Sequence, residues 1–202
     1  MRESLHDLFA MLISKYDAVY NQFMSTRSDS RKNSQSQLSD EEINKIKEKV
    51  EEFRDYISSQ TVQTLSALTN LNPTDYLIHA GLGNGNMTGV PYIMVCNVHI
   101  TRTPQKGVYI VYLLNKDTKS LYLTLGQAGT EIEKIIRDEQ KKLGKGYKKK
   151  LAYERLLTIC KSIRDQMGDV GLDFDGDIHS NNEFYDAGTI YYKKYTLENL
   201  PD

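Results

Sequence analysis

The chain's densest run of backbone freedom is Gly81-Leu-Gly-Asn-Gly-Asn-Met-Thr-Gly89, in which Gly81, Gly83 and Gly85 alternate with other residues. Glycines so placed permit positive φ and let backbone approach a ligand where a side chain would intervene. A dinucleotide fingerprint needs a strand, then glycines, then a helix. Here the run leads into the β-rich segment Tyr92 to Ile100, so that chemistry is not expected. No G-x-x-x-x-G-K-[ST] segment occurs, and Gly144-Lys-Gly-Tyr-Lys148 has glycines near lysines at the wrong spacing. A P-loop nucleotide-hydrolysing site is therefore excluded. Taken alone, the glycines fit either a ligand-approaching loop or a plain surface loop between two strands.

The densest basic run is Arg137, Lys141, Lys142, Lys145, Lys148, Lys149 and Lys150, with Tyr147 inside it. Such a run suits sequence-independent phosphate contacts, and equally a solvated helix face. Asp173-Phe-Asp-Gly-Asp177 looks like the start of a calcium loop, but the sixth and twelfth positions hold Ile178 and Phe184. An EF-hand needs glycine and a carboxylate there, so a solvated acidic loop is expected. His6, His79, His99 and His179 are scattered without zinc-site spacing, and no G-x-S-x-G is present. Cys96 and Cys160 lie far apart in apolar segments, which predicts buried free thiols. Neither a metal nor a cofactor is expected.

The elements that must position these residues follow from periodicity. Leu5, Leu8, Phe9, Leu12, Ile13, Tyr16, Val19, Tyr20 and Phe23 recur at helical spacing and predict a helix over 3–24. Residues 25–39 are polar and of low complexity, which predicts a loop. Ser39 with Glu42 forms a capping box, and Ile43, Ile46, Val50, Phe53 and Ile57 carry a second helix to about residue 58. Residues 61–71 prolong it or form a third short helix before Asn72-Pro73. Strands are predicted at Tyr76–Ala80, Tyr92–Ile100, Gly107–Leu114 and Leu121–Leu125. In the third, Tyr109, Val111 and Leu113 face one way and Val108, Ile110, Tyr112 and Leu114 the other. With both faces apolar, that strand should be central, and the short connections imply an antiparallel meander. Helical periodicity returns at 130–142 and 147–167, with Gly168 as a stop.

With 202 residues the chain suits one core of roughly 150 residues plus a helical extension. Its hydrophobic fraction of 39% and charged fraction of 26% are ordinary for a globular protein. Net charge is −1 at pH 7, so any attraction to nucleic acid must come from a local patch. Leu5 to Ile13 is short and broken by His6 and Asp7, unlike a signal peptide, and no apolar run reaches the roughly 20 residues of a membrane span. A cytoplasmic setting is expected. There are 14 Tyr and no Trp, and tyrosine, with its flat apolar face and polar tip, suits a recognition surface.

Read in order, Gly83-Asn-Gly-Asn-Met-Thr-Gly-Val-Pro-Tyr92, Ile100-Thr-Arg-Thr103, Gly107-Val-Tyr-Ile-Val-Tyr-Leu113 and Leu121-Tyr-Leu-Thr-Leu-Gly-Gln127 form a recognisable set. It resembles the N-terminal DNA-binding domain of McrB-type modified-cytosine restriction proteins. In that family a G-x-G-N segment leads to a Val/Ile-Pro-Trp step, then a G-x-Y-x-V-Y-L strand and a V-Y-L-S-L-type strand. The closing Ala187-Gly-Thr-Ile-Tyr-Tyr-Lys-Lys-Tyr195 and Leu200-Pro201 resemble its end pattern, so the likeness spans about residues 75–202. The resemblance implies recognition of DNA carrying modified cytosine, with the base flipped into a pocket. It also implies an AAA+ GTPase domain and a nuclease subunit elsewhere in the parent system, so this chain is not expected to be an enzyme.

Position by position, Tyr92 takes the place of the family's aromatic after proline, usually Trp. Leu113 and Tyr109 take the apolar and aromatic places on the G-x-Y strand, and Asn84 falls at the variable G-x-G position, from which a side chain can fill the gap left by a flipped base. Two departures follow: Tyr92 is smaller than Trp and carries a hydroxyl, and Asn84 cannot stack as an aromatic does.

The chain is thus expected to be an α/β protein of α+β type, with a mixed, largely antiparallel central sheet flanked by helices and an N-terminal helical pair. Residues 1–72, including the polar loop 25–39, should pack on a sheet-containing DNA-recognition domain at 73–202 as one unit. Gly83, Asn84, Gly85, Asn86, Tyr92, Tyr109 and Leu113 are the expected DNA- and base-binding residues, and Lys145, Lys148, Lys149 and Lys150 the phosphate contacts. The partner is double-stranded, modified DNA, with no membrane. The alternatives are a ligand-sensing or protein-interaction domain on the same fold without base flipping, and a nuclease or hydrolase with a dispersed active site.

Overall fold

A helix begins where orphan N–H groups find acceptors, and both N-terminal helices are capped by side chains. Asp7 N–H donates to Ser4 Oγ at 3.1 Å. Ser39 N–H donates to Glu42 Oε2 at 2.7 Å while Glu42 N–H donates to Ser39 Oγ at 3.3 Å, the reciprocal capping box expected there. The computed structural model describes residues 4–31, 38–68, 71–83, 85–171 and 178–200. Asn84, the Asp173–Asp177 segment and Pro201 lie outside the described residues.

The elements in order are α1 Leu5–Arg31, α2 Asp40–Leu68, β1 Tyr76–Gly81, β2 Tyr92–Asn97, β3 Val108–Asn115, β4 Ser120–Gln127, α3 Gly129–Lys142, α4 Lys149–Met167, α5 Glu183–Ala187 and β5 Thr189–Tyr195. Helix α1 runs on through residues 25–31, where a loop was expected. Two hydroxyls there turn back onto the helix: Ser25 donates to the Gln22 carbonyl and the buried Thr26 to that of Phe23, both at 2.7 Å. Helix α2 is unbroken to Leu68 because Thr61, Thr64 and Leu65 are buried and continue its stripe.

The five strands form one sheet in the order β1-β2-β3-β4-β5, and every pairing is antiparallel. Strand β3 is central, as its two apolar faces require. One face carries Ala80, Ile93, Val95, Leu114 and Leu121, packed against Leu8, Phe9, Leu12, Ile13 and Tyr16 of α1 and Val50, Ile57 and Leu65 of α2. Burying each of Leu8, Phe9 and Ile13 stabilises by roughly 1.5–3 kcal/mol, so α1 is an integral layer. Toward β5 the same face meets α3 and α4 through Val108, Leu125 and Tyr191. The opposite face presents Tyr92, Met94, Cys96, Tyr109, Val111, Leu113, Tyr122 and Tyr192, covered by Val90, Ala128, Ile178 and Tyr185.

Cys96 and Cys160 are free and buried in different clusters, and burial pushes both thiols up to about 11. Gly168 ends α4 at φ +69°, its N–H donating to the Arg164 carbonyl at 2.9 Å. Among the described residues no helix is long and apolar enough to cross a membrane.

Candidate nucleic-acid interface

The loop between β1 and β2 is built around backbone that a side chain would block. Thr88 N–H donates to the Leu82 carbonyl at 3.1 Å, closing the loop at its base. Gly83 has φ +106°, and a Cβ there would lie 1.8 Å from the Asn86 carbonyl oxygen and 2.8 Å from the Thr88 nitrogen. Gly85 has φ +68° but faces open space, and it is exposed together with Asn86. The loop therefore has a tight base and a free tip.

Both N-terminal helices hold that base. The Tyr16 hydroxyl, fully buried on α1, donates to the Thr88 carbonyl at 2.8 Å and also lies 3.4 Å from that of Leu82. Burial pushes its ionisation far above the ordinary tyrosine range, so it remains a donor. From α2, Arg54 donates to the Gly83 carbonyl and pairs with Glu51 at 2.6 Å.

Tyr92 opens β2 directly opposite Gly81. Its ring crosses the Gly81 backbone so closely that a Cβ on Gly81 would sit 2.1 Å from Tyr92 Cζ. The ring meets His79 edge-on at 6.1 Å and stays partly exposed. Beside it lies a cavity of about 480 Å³, with His79, Gly81, Gly83 and Tyr92 on one side and Asp55 and Ser58 of α2 on the other.

Leu113 pairs with Tyr92 across β2 and β3, and Tyr109 lies four residues farther along the same face. The expected trio is thus on one face, with Tyr92 and Leu113 at the loop end and Tyr109 toward the other end of β3. Leu113 is only 1% exposed and Tyr109 6%, and neither lines the cavity at Tyr92. Tyr109 donates to the Pro104 carbonyl at 3.0 Å and borders a second cavity of about 450 Å³ with Gly129, Thr130, Lys149, Phe184 and Tyr185.

Lys145, Lys148, Lys149 and Lys150 are exposed on the α3–α4 connection and the first turn of α4. Lys149 pairs with Glu183 and lies over the Phe184 ring at 5.2 Å, and Lys150 is 3.7 Å from Glu154. Lys149 therefore lines the second cavity, at the strand ends away from the glycine loop, with Lys148 and Lys150 next to it in the chain.

The family described as MrcB-like, N-terminal domain matches residues 30–202. The chain belongs to that family. No curated protein and no solved structure matches it. The glycine loop, Tyr92 and the whole sheet of this MrcB-like domain lie within the matched span, whereas Tyr16, which braces the loop, lies ahead of it.

Sequence reasoning placed the loop and Tyr92 but missed Tyr16, Arg54, Asp55, Ser58 and His79 around them. One signal was available: Arg54 falls four residues after Val50 and three before Ile57, on the apolar stripe of α2. A cation on a buried stripe implies a specific acceptor, and its side chain is only 13% exposed.

Proposed function

We propose that this MrcB-like N-terminal domain binds duplex DNA and reads a modified cytosine by flipping it out of the stack. It would be the recognition part of a restriction or defence system in which GTP hydrolysis and cleavage belong to an AAA+ domain and a nuclease subunit. Family membership supports DNA binding. The observation that carries base reading is a braced glycine loop with an exposed tip, set against a partly exposed Tyr92 ring at a cavity.

Flipping costs a few kcal/mol of unstacking, and stacking on an aromatic returns roughly 1–3 kcal/mol per base. Tyr92 is placed to supply that stacking. The cavity of about 480 Å³ falls within the usual range for small-molecule sites. Across from Tyr92, the Asp55 carboxylate can accept from the exocyclic amino group of cytosine, a donor that thymine lacks. Leu113 backs Tyr92 from the neighbouring strand, and the exposed Gly85 and Asn86 are offered to the duplex. At roughly 3.3 Å per residue, the β3 span from Leu113 to Val108 sets the two strand ends about 17 Å apart. That is about half a turn of duplex, so Lys148, Lys149 and Lys150, with Lys145, meet phosphates there.

The test is binding of labelled duplexes that carry unmodified cytosine or one of several modified cytosines, across a salt series. Binding is expected to weaken with salt and to favour one modified base, and Tyr92→Ala should weaken it by about tenfold or more. A fluorescent base analogue at the target position should brighten as it unstacks. If neither plain nor modified duplex binds at low salt, the domain is not a DNA reader.

A further inference from the structure

The tip of the glycine loop borders a third cavity, of about 560 Å³, which Tyr92 does not line. Its walls include Phe23 and Arg27 of α1, Lys47 and Glu51 of α2, and Gly85 and Asn86. We propose that Arg27 and Lys47 are a phosphate-binding pair that holds the DNA backbone on either side of the flipped nucleotide. This rests on the DNA-reading function proposed above.

Three observations carry it. First, Arg54, the cation at the base of the loop, is already committed to Glu51 and to the Gly83 carbonyl. Among the described residues Arg27 and Lys47 have neither a carboxylate partner nor a hydrogen-bond acceptor. Second, the Arg27 guanidinium lies over the Phe23 ring at 6.0 Å, which orients its donors and leaves them free for an anion. Glu51, the carboxylate on the same wall, is neutralised by Arg54 at 2.6 Å.

Third, geometry sets which phosphates are in reach. Successive phosphates of one strand advance about 3.4 Å along the axis. A cation in the same cavity as the loop tip therefore faces the phosphates that flank whatever nucleotide the loop extrudes. The lysines of α4 are at the other strand end and cannot hold those phosphates. With a net charge of −1 the chain has no general attraction for DNA, so a local pair beside the loop is needed to fix the backbone while the base turns. Arg27 also lies ahead of the family-matched residues 30–202, so α1 adds a contact of its own to the interface.

The experiment compares the full chain with Arg27→Gln/Lys47→Gln and with the charge-keeping Arg27→Lys/Lys47→Arg, using modified and plain duplexes across a salt series. Thermal unfolding shows that each variant is folded. The glutamine pair should weaken both duplexes by the same factor and flatten the slope of log K against log salt by about 0.9 for each cation. The charge-keeping pair should retain the wild-type slope. A folded glutamine pair with the wild-type slope overturns the assignment, as does one that loses discrimination between modified and plain duplex at an unchanged slope. If the wild-type chain binds no duplex, the DNA-reading function fails and the phosphate pair fails with it.

Discussion

The hydroxyl of Tyr16 donates to the carbonyl of Thr88 at 2.8 Å, joining α1 to the base of a loop 72 residues away in sequence. With Arg54 on the Gly83 carbonyl, this bond makes the N-terminal helices the brace of the glycine loop. Tyr16→Phe keeps the buried ring and removes the donor, leaving the part-buried Thr88 carbonyl without it. A loss of about 1–3 kcal/mol is expected in chemical denaturation. Amide exchange at Gly85 and Asn86 should quicken. An unchanged midpoint with unchanged exchange would show that the loop holds itself.

Gly81 and Gly83 are constrained in different ways, and alanine separates them. At Gly81 the added Cβ meets the far end of the Tyr92 ring, which can swing aside. Gly81→Ala should therefore melt close to wild type yet lose duplex binding about as severely as Tyr92→Ala. At Gly83 the Cβ meets backbone, and φ is +106°. Gly83→Ala should cost about 1–3 kcal/mol and shift the loop as well. Paired melting curves and binding isotherms read both effects, and equal stability losses at the two positions would contradict the assignment.

The two thiols set an alkaline limit. Cys96 and Cys160 are pushed from an ordinary 9.0 up to about 11 by burial. Below pH 9 both states keep their protons and nothing is lost. As pH rises from 9 toward 11 the unfolded chain releases thiol protons first, so stability falls. Melting temperature should decline across that window, less steeply in Cys96→Ala/Cys160→Ala. Thiol reagents at pH 8 should label the folded chain far more slowly than the unfolded one. Rapid labelling of the native protein would be inconsistent with this burial.

Local signals carried much of the fold. The capping box of Ser39 and Glu42, the apolar stripe of α1 and the two-faced pattern of β3 depend on neighbours within a few residues. Each appears in the structure where the sequence places it. The extension of α1 through residues 25–31 did not show, because a polar composition says nothing of a hydroxyl turned back onto its own helix, as Thr26 is.

The site divides along the same line. By itself the sequence determined that the glycine-rich run after β1 holds a loop with positive-φ positions, and that Tyr109 and Leu113 share one face, since glycine freedom and the two-residue strand period are local properties. Only the tertiary structure decided that Tyr92 lies across Gly81, that Tyr16 and Arg54 brace the loop, and that Lys148–Lys150 sit at the opposite strand ends. Those relations join residues from different layers. They depend on strand register and on how α1 and α2 stack over the sheet, which no short stretch of sequence encodes.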